Sequence, residues 1–224
     1  MTEVRARRRS QRNKKIAVLA ATGLIVASGA TITSMAAWTD TEWVYGGAAL
    51  EDGVSTSTFE VNQNVTASAT TGWTNDLASP GGKIDFSIAA QNLYPETPVY
   101  GFVQLRTIEE SLAGDLTLNA PTLQAGGSTA LFSALTYGAR IVANPAACNE
   151  TGYGASTQGI VASGSSTSTG SAVNAFELTA GSVGTPGTAK TVCFQLVLPA
   201  QTTDALQGLT AQPVWNFTAE SKLP

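Results

Sequence analysis

Val192, Phe194, Leu196 and Leu198 stand at every second position, with Cys193, Gln195 and Val197 between them. Successive side chains of an extended chain point to opposite faces, so this spacing builds one apolar face and fits a strand, not a helix. The same period runs through Ile84, Phe86, Ile88 and Ala90, interleaved with Lys83, Asp85, Ser87 and Ala89. It recurs in Trp215, Phe217 and Ala219, interleaved with Val214, Asn216 and Thr218. Weaker strand candidates span 59–65, 99–106, 115–118 and 131–142. Ser79-Pro80-Gly81-Gly82, Tyr94-Pro95-Glu96-Thr97-Pro98, Gly126-Gly127 and Gly184-Thr185-Pro186-Gly187 separate these runs as turns or loops. Short strands between such turns predict an all-β fold, an antiparallel β-sandwich over residues 48–224. A short helical turn fits near Ser111 or over Thr203–Gln207, ahead of Gly208. Residues 151–172, TGYGASTQGIVASGSSTSTGSA, read as too polar and too rich in Gly and Ser to build a core. They are expected to form a flexible insertion.

The first 36 residues are of another kind. Seven of the chain's twelve basic residues precede Ile16, and no charge occurs from Ile16 to Ile32. A basic segment followed by an apolar one is the physical signature of an export signal, here an N-terminal signal helix over 1–36. Ser34-Met35-Ala36 puts small residues at the third and first positions before Ala37, which predicts cleavage between Ala36 and Ala37. The apolar run also reaches the lower end of a bilayer span, so a retained anchor is the competing reading. Its many Ala, Gly, Ser and Thr residues make it a weak one. Arg8-Arg9-Ser10 suggests a twin-arginine signal, but the apolar residues of that signal do not follow directly.

Cleavage leaves 188 residues with five basic and fifteen acidic side chains, a net charge of −10. Nucleic acids and anionic membranes are bound through Lys and Arg, so neither is an expected partner, and the membrane enters only through the signal segment. Cys148 and Cys193 are the only cysteines. In an exported chain an isolated pair is more often a disulfide than a metal or redox site. The bond would clamp the 151–172 insertion to the sandwich.

The residue types argue against catalysis. The chain has no histidine, which removes the commonest general base and the commonest metal ligand together. Ser-His-Asp and Cys-His arrangements are thereby excluded, and two cysteines do not make a four-thiolate zinc site. No phosphate-cradling Gly-rich motif is present. Glu109 and Glu110 are neighbours that a strand would turn to opposite faces. Asp76, Asp85 and Asp115 are scattered, without calcium-loop spacing. No cofactor, no metal and no enzymatic activity are expected. Asn64, Asn149 and Asn216 head glycosylation sequons that matter only in a host that modifies exported chains. Trp73, in TTGWTND, is either a rim residue of the core or a ligand platform of the kind solvent-facing tryptophans form in glycan-binding modules.

The junction Ala37-Trp38-Thr39-Asp40 resembles the start of the TasA/camelysin-type proteins, secreted biofilm-matrix fibre subunits with a dedicated signal peptidase. The longer AAWTDTEWVYGG and the C-terminal LQGLTAQPVWNFTAES look like the actinobacterial branch of that group. The likeness covers both termini. The two cysteines and the 151–172 insertion depart from the pattern, and without histidine no protease activity comes with it. The resemblance implies a jelly-roll-like sandwich and a head-to-tail homopolymer, in which the freed N-terminus adds as a strand to the next subunit. Residues 37–47 would be that donor, with Trp38, Asp40, Trp43, Val44 and Tyr45 in the strand and Gly46-Gly47 as hinge. The competing reading makes Trp38–Tyr45 the first strand of its own sandwich. Trp38 and Trp43 face opposite sides of an unbroken strand, which a donor must accommodate. A monomeric cell-surface binding module and a membrane-anchored ectodomain complete the expectations.

Overall fold

Phe194 lies between two strands whose facing residues are almost bare: Gly101 on one side and Ala139 on the other. That arrangement organises the larger sheet. The computed structural model describes residue 44, residues 56–86 and residues 88–222. The chain divides into Met1–Val54 and Ser55–Pro224, and the strands among the described residues belong to the second unit.

In chain order the strands are β1 (Val61–Asn64), β2 (Val99–Thr107), β3 (Gly114–Leu118), β4 (Thr122–Leu123), β5 (Thr136–Val142), β6 (Gly159–Ser166), β7 (Phe176–Leu178), β8 (Lys190–Val197), β9 (Pro213–Val214) and β10 (Phe217–Ser221). Five form an antiparallel sheet in the order β1-β2-β8-β5-β6. Three form a second antiparallel sheet, β10-β3-β7. The sheets pack face to face. Val103, Leu105, Val192, Phe194 and Leu196 from the first meet Leu116, Leu118, Phe176 and Leu178 from the second, all buried. Phe217 joins the layers, with ring centroids 6.1 Å from Phe176 and 6.5 Å from Phe194. The observed architecture is thus mostly β, antiparallel sheets packed together as the alternation implied, with a few short helices.

Three details differ from the sequence reading. Lys83–Ala90 is not a strand: 83–86 has no regular structure and Ile88–Gln91 is a 3₁₀ turn. Ile84 and Phe86 are half-buried instead by lying over Gly101, where a β-carbon would stand 2.7 Å from Ile84 Cγ2. An extended segment laid across a sheet has the same period as one paired into it. In 131–142 the first residues belong to a helix, Thr129–Ala134, started by Ser128 Oγ accepting from Leu131 N at 3.2 Å.

The third correction concerns 151–172, which is not a flexible excursion. Asn149 caps a helix, Glu150–Ala155, by accepting from Gly152 N at 3.0 Å. After it β6 pairs with β5 as an edge strand of the five-stranded sheet. Tyr153, Ile160 and Val161 are buried. Strand pairing uses main-chain groups, so a Gly/Ser-rich segment needs few apolar side chains once a neighbour offers its edge.

Cys193, fully buried on the central strand, is bonded to Cys148, with Cα atoms 5.3 Å apart. With Val142, Tyr153, Tyr100 and Ala147 this disulfide forms a small second core. A disulfide in this position is at home in an oxidising compartment.

Candidate functional site

The second sheet is two strands narrower than the first, and a groove of about 1760 Å³, with apolar walls between the sheets and polar residues around them, lies along its β10 side. Val103, Leu105 and Leu196 of the large sheet and Leu116, Phe217 and Ala219 of the small one contribute to its walls. Leu116 at the base is fully buried, whereas Phe217 and Ala219 are half-buried. Trp215, also lining the groove, packs at 4.8 Å from Phe194, 5.9 Å from Phe86 and 6.0 Å from Tyr137. Its indole Nε1–H is buried without a partner among the described residues.

The backbone of β10 completes the site. Asn119 N donates to Asn216 O at 3.0 Å, and Lys222 N donates to Ala113 O at 2.8 Å. In an antiparallel ladder the hydrogen-bonded residues alternate, so 216, 218, 220 and 222 turn their main-chain groups toward β3. Those of Phe217, Ala219 and Ser221 therefore point the other way, where no described strand accompanies them. β4 and β9 continue the β3–β10 ladder one residue out of step, lengthening this edge to Pro213–Ser221. Pro213 sits at an edge, the place in a sheet that tolerates a missing N–H. The outer face is polar: Lys222 Nζ lies 3.0 Å from Glu177 and 3.7 Å from Asp115. Glu177 and Asp115 together raise the lysine's pKa.

A main-chain edge with no described strand beside it, next to a partly apolar groove, has a definite chemical competence. It can accept an extended peptide, which hydrogen-bonds to the edge and sends alternate side chains into the groove. Among the described residues no group of three or more acidic, Cys or His side chains is placed to hold a metal ion.

Of the sequence-predicted site residues, Ala36, Ala37, Trp38, Asp40, Trp43, Tyr45, Gly46 and Gly47 lie outside the described residues. Val44 is described and is 91% exposed. Trp73 is half-buried, donates its indole N–H to Ala69 O at 3.1 Å, and carries Arg106 over its ring, 3.8 Å from the centroid. Asn64 is fully buried, with Nδ2 donating to Ser68 O (2.7 Å) and Thr71 O (2.9 Å). Asn149 and Asn216 are exposed. The groove itself escaped the sequence reading. Trp215, Phe217 and Ala219 gave the strand, whereas the edge had one local mark, Pro213, which the alternation of side chains does not use.

No protein-family model matches the chain, and no curated protein matches it.

Proposed function

We propose that this protein is a secreted structural subunit that polymerises head to tail into extracellular or biofilm-matrix fibres. Residues 37–47, freed by cleavage after Ala36, would add as a strand to the β10 edge of the next subunit. The observation that carries this reading is the edge Pro213–Ser221, unaccompanied by any strand among the described residues, with a partly apolar groove alongside. Nine residues of edge match the nine residues Ala37–Tyr45, each about 30 Å when extended. A donor needs aromatic anchors for the groove, and Trp38, Trp43 and Tyr45 are available. The resemblance to TasA/camelysin-type subunits supports the same reading, together with the jelly-roll-like form of the sandwich and the N-terminal signal helix it implies. Such a head-to-tail contact joins two different surfaces and so can give open filaments. Before cleavage the donor is tied to the apolar signal segment, which would hold assembly back until export is complete.

The test compares a chain of residues 37–224 with one beginning at Gly47, by light scattering and electron microscopy. Filaments from the longer chain alone are the expected result. Monomers from both, with the shorter less stable, would make 37–45 an intramolecular strand and overturn the polymer.

A further inference from the structure

We infer that the donor segment enters the groove with one particular face: Thr39, Thr41, Trp43 and Tyr45 inward, and Trp38, Asp40, Glu42 and Val44 toward solvent. This rests on the strand-addition reading above and specifies how the site selects its occupant. Side chains alternate along a strand, so residues 37–47 offer only two faces. The odd-numbered face is Ala, Thr, Thr, Trp, Tyr and Gly, without a charge. The even-numbered face holds both carboxylates, Asp40 and Glu42.

The groove discriminates between them on physical grounds. Its floor at Val103, Leu105, Leu116 and Ala219 is apolar, and a carboxylate placed there loses hydration without gaining a counter-charge. Among the described residues, the charged ones around it are Glu60, Asp76, Asp204 and Lys83. Three acids against one base make the rim repel Asp40 and Glu42, so charge and solvation choose the same face. Asp76 is held ionised by hydrogen bonds from Gln63 (2.5 Å) and Thr74 (2.8 Å), which lower its pKa. The opposite orientation of the two tryptophans then ceases to be a conflict. Trp43 is the groove anchor, and Trp38 belongs to the outer surface of the joint.

The β10 edge makes this testable by cross-linking. The full chain would carry a sequence-specific protease site ahead of Ala37, so that the terminus is freed on demand. Ala219→Cys, on the inward face of β10, is combined in turn with a cysteine at 38, 39, 40, 41, 42, 43, 44 or 45. After release and mild oxidation, disulfide-linked ladders are expected for one or two odd positions and for no even one. Thr218→Cys, on the outer face, should reverse the preference. Ladders confined to Ala219→Cys with even positions would overturn the face assignment and leave the polymer standing. Odd-position links within a single chain would keep the face assignment and overturn the polymer. No link of either kind, in chains that form no filaments, would overturn both. As a check without cysteines, Thr41→Asp should reduce filament yield at least tenfold, while Glu42→Gln, by easing the rim's repulsion, should hold or raise it. Equal yields from the two variants would overturn the face assignment.

Discussion

Trp215 stands with its ring 4.8 Å from that of Phe194, so the segment leading into β10 is seated on the middle strand of the opposite sheet. The space for this contact exists because Phe194 has Gly101 and Ala139 as its strand neighbours. Trp215→Ala should therefore destabilise the fold by about 2–4 kcal/mol, from lost burial and an unfilled cavity. Urea denaturation followed by circular dichroism measures it. Trp215→Phe should recover more than half, since it keeps the aromatic contact and removes an indole N–H that has no partner among the described residues.

Ala219→Pro separates folding from assembly. The Ala219 N–H points away from β3, so proline removes no bond of the β3–β10 ladder but deletes a donor from the outer edge. The variant should unfold within about 1 kcal/mol of wild type, allowing for altered backbone freedom, yet give few filaments by electron microscopy. Thr218→Pro, which breaks a ladder bond, should be destabilised by about 3 kcal/mol or more.

Tyr137 gives the fold an alkaline limit. Its hydroxyl donates to Thr169 O, and burial pushes its pKa from the usual 10.0 to about 12. The folded state thus favours the neutral phenol more than the unfolded state does. Its contribution is complete below pH 10 and is lost as pH rises from 10 to about 12. Thermal midpoints measured across this window should fall, and Tyr137→Phe should flatten the fall.

The Cys148–Cys193 bond closes a loop with a sequence separation of 45 residues. Closure of a loop that long stabilises by about 4 kcal/mol through the unfolded chain. Replacing both cysteines with alanine should lower the thermal midpoint by on the order of 10 °C. The helix Glu150–Ala155 should loosen first, detected as faster amide exchange at Tyr153 than in β8.

Asn64 illustrates how a sequon is spent on structure. Besides its two donated bonds, its Oδ1 accepts from Thr66 N and Thr66 Oγ1, both at 2.7 Å. Asn64→Ala should cost about 2–3 kcal/mol by leaving these groups unmatched. In a glycosylating host, mass spectrometry of the folded product should find Asn64 unmodified, with any glycan on Asn149 or Asn216.

The sandwich was legible because β8 and β10 alternate so regularly that period alone reveals them, and β2 does so more weakly. The stretch 83–90 is where that logic fails, as Ile84 and Phe86 show by covering a sheet without joining it. β4, β7 and β9 are too short to display any period. The strand Gly159–Ser166 was invisible because its partner β5, and not its own side chains, fixes it in place. The groove was hidden for a related reason. An edge is defined by which neighbour a strand lacks, and no local pattern of side chains records that.

The far border of the large sheet carries its own consequence. β6 meets β5 with register shifts around Ala139, and Gly164 within it adopts φ +81°. A kinked, glycine-bearing border is a poor template for another chain. If sticky borders existed at both ends of this sandwich, subunits would fuse sideways into mats. In the proposed fibre the irregular β6 border would recruit no further chain, so strand addition at β10 would lengthen the assembly without thickening it there.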